Sequence, residues 1–326
     1  MLLFRTLNQA LRAPHHNDDF LAAKIRDELI PVRSWWLKNV PWAKYQLRSM
    51  VENSRWGVPG CTNFIDARTK WMDAAVKDGL AAGIKQVVLI AAGYDTRAYR
   101  LAPADGSVRF FEVDLPDASH RKRALAKKLK LCKDDAALPT YVAADLSVVD
   151  LGDALGPAGF NPAQPTLFTM EGLIYYLPPS AAQALMGRIT QLSAPGSKVV
   201  FDFMHATALE GREKSPDGYK YAGFKITAKS VANKGEAYKF GLPDSAQGVS
   251  TFLAASAASM PSSRHTASPA GPEAAEAGRG GAGKALQLTE YMGPRQMVAQ
   301  QLPHLAWNDE VPPIAAFYSY AQAAML

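Results

Sequence analysis

The sequence predicts a doubly wound α/β fold on a mostly parallel sheet. Three observations predict it. Gln86 to Ile90 is a short apolar run that halts at Ala91-Ala92-Gly93 and turns polar at Tyr94-Asp95-Thr96-Arg97. Such a run reads as a buried parallel strand entering a tight loop, with a helix behind it. Phe110-Phe111-Glu112-Val113-Asp114 is a second apolar strand, and it ends in acid. From there to Phe203 strand-like and helix-like stretches alternate, which is the pattern of a parallel sheet.

Residues 1 to about 65 mix polar and aromatic groups and are broken by Pro31, Pro41 and Pro59. They read as short helices, an N-terminal helical cover or lid. Trp35, Trp36, Trp42, Tyr45, Trp56 and Phe64 fall here, and core packing is the expectation for most of them. Residues 66–326 read as the main domain. Ala67 to Ala82 repeats apolar residues at helical spacing, with Gly83 placed to stop it. Gln86–Ile90 and Val108–Val113 are the first two strands. A third runs from Thr140 to Ala143, a fourth from Thr166 to Met170 and a fifth from Lys198 to Phe203, with a helix over about 180–192 before the last. Residues 220–240 are polar with room for one helix. About 254–285 is rich in Ala, Ser, Gly and Pro and poor in bulky residues, so it reads as a disordered insertion. Ile314 to Tyr320 is apolar enough for a last strand that returns to the sheet.

At 326 residues the chain can bury a large core, as one large domain or two smaller ones. No apolar run is long enough to span a bilayer, and no membrane partner is expected. The N-terminus lacks a signal-peptide pattern. Arg5 and Arg12 without an acid in the first seventeen residues resemble an organelle presequence, but an amphipathic helix is the preferred reading. Cys61 and Cys132 cannot make a disulfide framework or a metal site, which fits a reducing, cytoplasmic setting. The net charge of +6 is local. Seven of the 36 Lys/Arg lie between His120 and Lys133, leaving 29 against 30 acidic residues elsewhere. Leu125, Leu129 and Cys132 give that segment a helical apolar stripe, so it reads as a solvated basic face. The sharper reading is a dock for an acidic partner or RNA, but interleaved aromatics are missing, and nucleic acid is not expected.

Candidate site residues stand at strand ends or at the start of a strand-adjacent helix: Arg68, the Gly93 loop with Asp95 and Arg97, Asp114 with Glu112, Asp145, and Glu171. In a parallel sheet these ends share one rim, so distant residues converge there. Each has a duller role. Asp95 can cap the following helix, Arg97 and Arg100 can pair with neighbouring acids, and Asp145 can be a turn residue. Asp114 is the better ribose acceptor because it lies nearer the strand end than Glu112, which points to the same side from below. A dinucleotide site needs GxGxxG for its pyrophosphate. Here Gly93 stands alone, and an acid at the turn would repel phosphate. S-adenosylmethionine has no phosphate and tolerates acids, so it is the expected cofactor, with NAD(P) as the alternative.

Arg68-Thr69-Lys70-Trp71-Met72-Asp73, Val88 to Leu101, Phe111-Glu112-Val113-Asp114-Leu115-Pro116, Ala144-Asp145-Leu146 and Glu171 to Leu177 follow one another in an order that resembles the leucine carboxyl methyltransferase family, and especially its bacterial S-adenosylmethionine-dependent methyltransferase branch. The resemblance covers about Ala67 to Phe203. It implies a class I methyltransferase-like fold with a seven-stranded sheet, and O-methylation of a carboxylate on a small molecule or peptide end. It further implies that Arg68 holds the cofactor carboxylate, and that Gly93 lets the backbone pass the methionine moiety. Asp114 would bind the ribose, Asp145 and Leu146 would frame the adenine, and Glu171 would lie near the amino group. The family usually has glycine where Ala91 stands and a smaller residue at Tyr94. The extra methyl of Ala91 is harmless only if φ there is negative. A carboxylate acceptor needs no general base; for a hydroxyl acceptor the candidates are Tyr175, Tyr176 and His205. A non-catalytic partner-binding relative is a further alternative.

Overall fold

The computed structural model describes residues 2–53, 55–133, 137–259 and 284–326. Strands β1 (Gln86–Ile90), β2 (Arg109–Asp114), β3 (Thr140–Ala143), β4 (Thr166–Met170) and β5 (Lys198–Met204) are parallel, and β6 (Leu286–Met292) and β7 (Tyr318–Met325) run antiparallel to their neighbours. The sheet order is β3-β2-β1-β4-β5-β7-β6. β1 therefore lies between β2 and β4, where the winding reverses and where open α/β sheets form a crevice. All five residues of β1 and of β4 are buried, as an apolar run between two neighbours requires.

The register carries the site. Ile90 lies opposite Val113 on β2 and Met170 on β4, and Met170 lies opposite Phe201 on β5. One residue further on stand Asp114 on β2, Asp202 on β5, and Ala91 and Glu171 just past the ends of β1 and β4, so the four share one rim of the sheet.

The segment expected to form a cover holds α1 (Leu2–Arg5), α2 (Leu7–Ala10), α3 (Phe20–Leu29), α4 (Pro31–Asn39) and α5 (Ala43–Val51). Helix α6 spans Cys61–Ala81, across the position where the sequence suggested that the cover ends. Phe64, Ile65, Trp71, Met72 and Val76 make one continuous buried stripe on it, which is why it starts earlier than expected. The aromatic expectation for the cover is corrected. Of Trp35, Trp36, Trp42, Tyr45, Trp56 and Phe64 only Phe64 is buried. Helix α4 sends only Ser34 into the interior and α5 buries no residue, so their rings have no core to enter.

The remaining helices are α7 (Arg97–Arg100), α8 (Pro116–Lys128), α9 (Leu151–Leu155), α10 (Pro179–Leu192), α11 (Ala206–Leu209), α12 (Phe224–Ala232), α13 (Ala246–Ala258) and α14 (Pro294–Gln301). The near edge of the expected insertion moves, because Ala254–Ala258 belong to α13, which packs Val249, Phe252 and Leu253 inward. Residues 260–283 lie outside the described residues. The last strand begins at Tyr318, later than expected. Its alanine-rich tail reads poorly as strand, yet the small side chains of Ala321, Ala323 and Ala324 fit the crowded position between β5 and β6. Helix α8 ends at Lys128, before Leu129 and Cys132 of the expected stripe. Its basic face is mostly exposed, but Lys122 turns in and pairs with Glu112 at 2.8 Å. Among the described residues no helix is long and apolar enough to cross a membrane.

Glu112 is buried on β2, and burial pushes its carboxyl up to about 7 despite Lys122. The unfolded chain, with an ordinary value near 4.5, releases this proton first. Its contribution to stability is therefore full below the unfolded value and is lost as pH rises to about 7. Urea titrations between these limits are expected to show that loss, and Glu112→Gln is expected to flatten it. An equal slope in the two proteins would refute the assignment.

Candidate functional site

A cavity of about 860 Å³ opens at the carboxyl ends of β1 and β4, where Arg5, Arg68, Ala91, Gly93, Glu171 and Tyr175 are among the residues that line it. It lies in the size range of cofactor and ligand pockets.

Arg68 reaches the cavity from α6. It is 1% exposed, and its guanidinium bonds to Asp202 at 2.7 Å and pairs with Glu171 at 3.2 Å. Asp202 also accepts the Gly172 backbone N–H at 2.6 Å. Gly172 has φ +70°, and a β-carbon there would crowd Tyr175 and Arg68. Glu171 follows β4 and holds three guanidinium groups: Arg5, Arg97 at 2.6 Å and Arg68. Burial alone would raise its pKa, but the three cations outweigh burial and hold it below the ordinary carboxylate range. For Asp202 the balance is opposite, since complete burial outweighs Arg68 and moves it up.

Asp114 does not line the cavity but stands directly behind Gly93. Its carboxylate accepts the Gly93 N–H at 2.6 Å and the Leu115 N–H at 2.8 Å. Gly93 has φ +43°, in the left-handed region. Asp145 is a turn residue whose side chain accepts the Ser147 N–H at 2.9 Å, and Leu146 is half-buried beside it. Neither lines the cavity, although the end of β3 is tied to β2 by the Ala144 N–H, which donates to the Asp114 carbonyl at 2.9 Å. Asp95 accepts the Arg97 N–H at 2.8 Å and pairs with its guanidinium, and Arg97 and Arg100 both pair with Asp73. The duller roles considered for these residues are thus the ones the geometry contains.

The three base candidates separate. Tyr175 and Tyr176 line the cavity. Burial raises both phenols above their ordinary range. His205 lies outside the cavity. It is fully buried, with Nε2 2.8 Å from Ser319 Oγ and 3.0 Å from Asp244, and Nδ1 3.2 Å from the Tyr221 hydroxyl. A position just beyond a strand end does not reveal which side the ring takes.

The sequence reading missed Arg5 and Asp202. Asp202 had a signal: an acid inside Val199-Val200-Phe201-Asp202-Phe203 must find a cation once the strand is buried. Arg5 had none, because nothing in its neighbourhood says that it reaches Glu171, 166 residues away.

The strand order and the rim define a class I methyltransferase fold. The crystal structure of a "putative methyltransferase" from Thermobifida fusca superimposes over 93% of this chain and 94% of its own, with a TM-score of 0.52 and 15% identity, which establishes likeness of fold. The chain belongs to the leucine carboxyl methyltransferase family, whose model matches residues 3–190. A Mycobacterium avium relative named "Putative S-adenosyl-L-methionine-dependent methyltransferase" is 37% identical over 188 residues, 57% of this chain and 60% of the relative. A similarly named Mycolicibacterium smegmatis relative is 40% identical over 174 residues, 52% of this chain and 55% of the relative. The matches thus span little more than half the length of these curated relatives.

Ala91 is exposed on the cavity wall with φ +54°, the region that penalises a β-carbon. Ala91→Gly is expected to stabilise the protein by about 0.5–1 kcal/mol, the relief of strain less the added freedom of the unfolded chain. Thermal unfolding checks it, and a lower melting temperature would overturn it.

Proposed function

We propose that this chain transfers the methyl group of S-adenosylmethionine to an oxygen, with a carboxylate of a small molecule or peptide end as the acceptor. Support for the cofactor comes first from one observation: the set Asp114, Ala91, Glu171 and Asp202, with Arg68 and Gly93, gathers cationic, anionic and backbone groups on one rim. The group fits. Among the described residues Arg68 Nε is buried without a partner, a donor left for a carboxylate. Glu171 offers an anion for an ammonium, and Asp114 an acceptor for ribose hydroxyls. At the turn, Asp95 already takes the helix N–H that a pyrophosphate would need, which disfavours NAD(P).

When bound, the cofactor supplies an electrophilic methyl carbon on a sulfonium. The residues of the chain bind and orient. Arg68, anchored by Asp202, holds the methionine carboxylate, and Gly93 lets the backbone pass close. Asp114 holds the ribose, and Asp145 with Leu146 frames the adenine. Glu171 takes the ammonium in exchange for Arg5, which keeps Asp19 as its other partner at 3.3 Å. The helices before residue 66 act as the cover over this site. A carboxylate acceptor is already ionised at neutral pH and needs no base. Arg26 and exposed Arg33 line the cavity with charge opposite to such an acceptor. Positioning and exclusion of water by the apolar wall then lower the barrier.

Asp114→Ala is expected to weaken S-adenosylmethionine binding by about 1–3 kcal/mol in calorimetry. Asp114→Asn, which keeps an acceptor oxygen for the Gly93 N–H, should lose less. Unchanged affinity in both would reject the ribose role. Methyl-labelled cofactor incubated with the protein and a cell extract is expected to give base-labile label, the mark of an ester. Base-stable label would move the acceptor to a hydroxyl or nitrogen. Cofactor binding without any label would favour a non-catalytic binding protein, and no binding at all would reject the cofactor.

A further inference from the structure

Four of the six tryptophans of the chain lie between residues 31 and 56. Trp35, Trp36, Trp42 and Trp56 are 48 to 78% exposed, and Val32, Tyr45 and Met50 are 59 to 71% exposed. Trp36 packs edge-on against Trp35 at 6.2 Å and against Trp42 at 6.3 Å, so one aromatic ridge crosses from α4 toward α5. On α5, Tyr45, Gln46, Ser49 and Met50 share the exposed face. A contiguous exposed apolar surface of this kind marks a docking site.

Its charge identifies the occupant. Arg33, Lys38, Lys44, Arg48 and Arg55 lie in the same stretch, against Glu52 as its one acid. Lys38 pairs with Asp27 and Lys44 donates to the Ala10 carbonyl, so the charge that this face offers comes from Arg33, Arg48 and Arg55. Glu52 is turned to the chain itself, where its carboxylate accepts the Gly60 and Thr62 N–H groups. A second copy docked on this face would bring like charge to like charge. An anionic surface would not. Tryptophan and tyrosine interleaved with lysine and arginine on short helices that bury almost nothing is the composition of a segment lying in a lipid headgroup layer.

We infer that α4 and α5 form a peripheral docking surface for an anionic lipid bilayer. The rings enter the headgroup layer, and the cations pair with lipid phosphates. This differs from a membrane span, which no helix among the described residues is long and apolar enough to form. Ile30 and Arg33, where α4 begins, also line the cavity, so docking brings the cavity rim to the lipid surface.

Co-sedimentation of the full chain with vesicles tests the inference without cofactor or methyl transfer, so its failure leaves the proposed activity standing. Vesicles of phosphatidylcholine with phosphatidylglycerol are expected to bind the protein at least about tenfold better than phosphatidylcholine alone, with loss at high salt. Arg48→Gln with Arg55→Gln is expected to reduce partition by about fivefold per charge. Trp35→Ala, Trp36→Ala and Trp42→Ala together are expected to abolish it, with the circular dichroism and the calorimetric affinity for S-adenosylmethionine unchanged. Equal or absent binding to both vesicle types overturns the inference. So does a concentration-dependent dimer in sedimentation equilibrium that the tryptophan variant abolishes, because the face would then join two copies of the chain.

Discussion

The site depends on the buried guanidinium of Arg68. Asp202 lies inside a fully enclosed strand and Glu171 just past the end of the neighbouring one, and two carboxylates so placed cannot both stay ionised in a dry interior without a cation between them. Arg68 supplies it from α6, and Arg97 supplies a second from α7. The ion pairs therefore fix how these helices lie against the sheet edge as well as the charge of the rim. Removing either arginine would leave uncompensated anions, which is costlier than the pair is stabilising.

The same polar chemistry fastens the cover. Asp19 caps α3 by accepting the Ala22 N–H, accepts the Thr96 hydroxyl at 2.6 Å, and pairs with Arg5 and Arg100. Asn17 bonds to Asp66 on α6. Directed bonds thus hold α1 and α3 to the rim, beside the packing of Leu2 and Ile25 against Ala126 and Leu131. Burial of the cover's rings is not required for its attachment, which leaves the aromatic residues of α4 and α5 facing outward. Because Arg5 shares Glu171 with Arg68 and Arg97, the cover and the rim form one electrostatic unit.

Within this frame the backbone of the β1 loop carries a local cost. Gly93 adopts its left-handed conformation freely, but Ala91 does so with a side chain. The strain sits against the cavity, in a loop tied down by the Asp114 carboxylate and the Asp95–Arg97 pair.

Much of this was legible in the chain itself. Apolar runs mark the central parallel strands, because a strand buried on both faces has no polar alternation to hide it, while β3 at the edge is mostly half-buried or exposed. Gly93 and Glu171 could be placed on one rim because strand ends in a parallel sheet share it, whereas Arg68 reaches that rim from within α6. Partnership is what the sequence could not disclose. Asp202 meets Arg68 across 134 residues and Arg5 meets Glu171 across 166, and His205 turns away to Asp244 and Ser319. The sign of φ at Ala91 and the outward faces of Trp35, Trp36 and Trp42 were equally hidden. A residue's type and local period determine its element, whereas its partners and exposure depend on what the rest of the fold places beside it, and only the tertiary structure decides that.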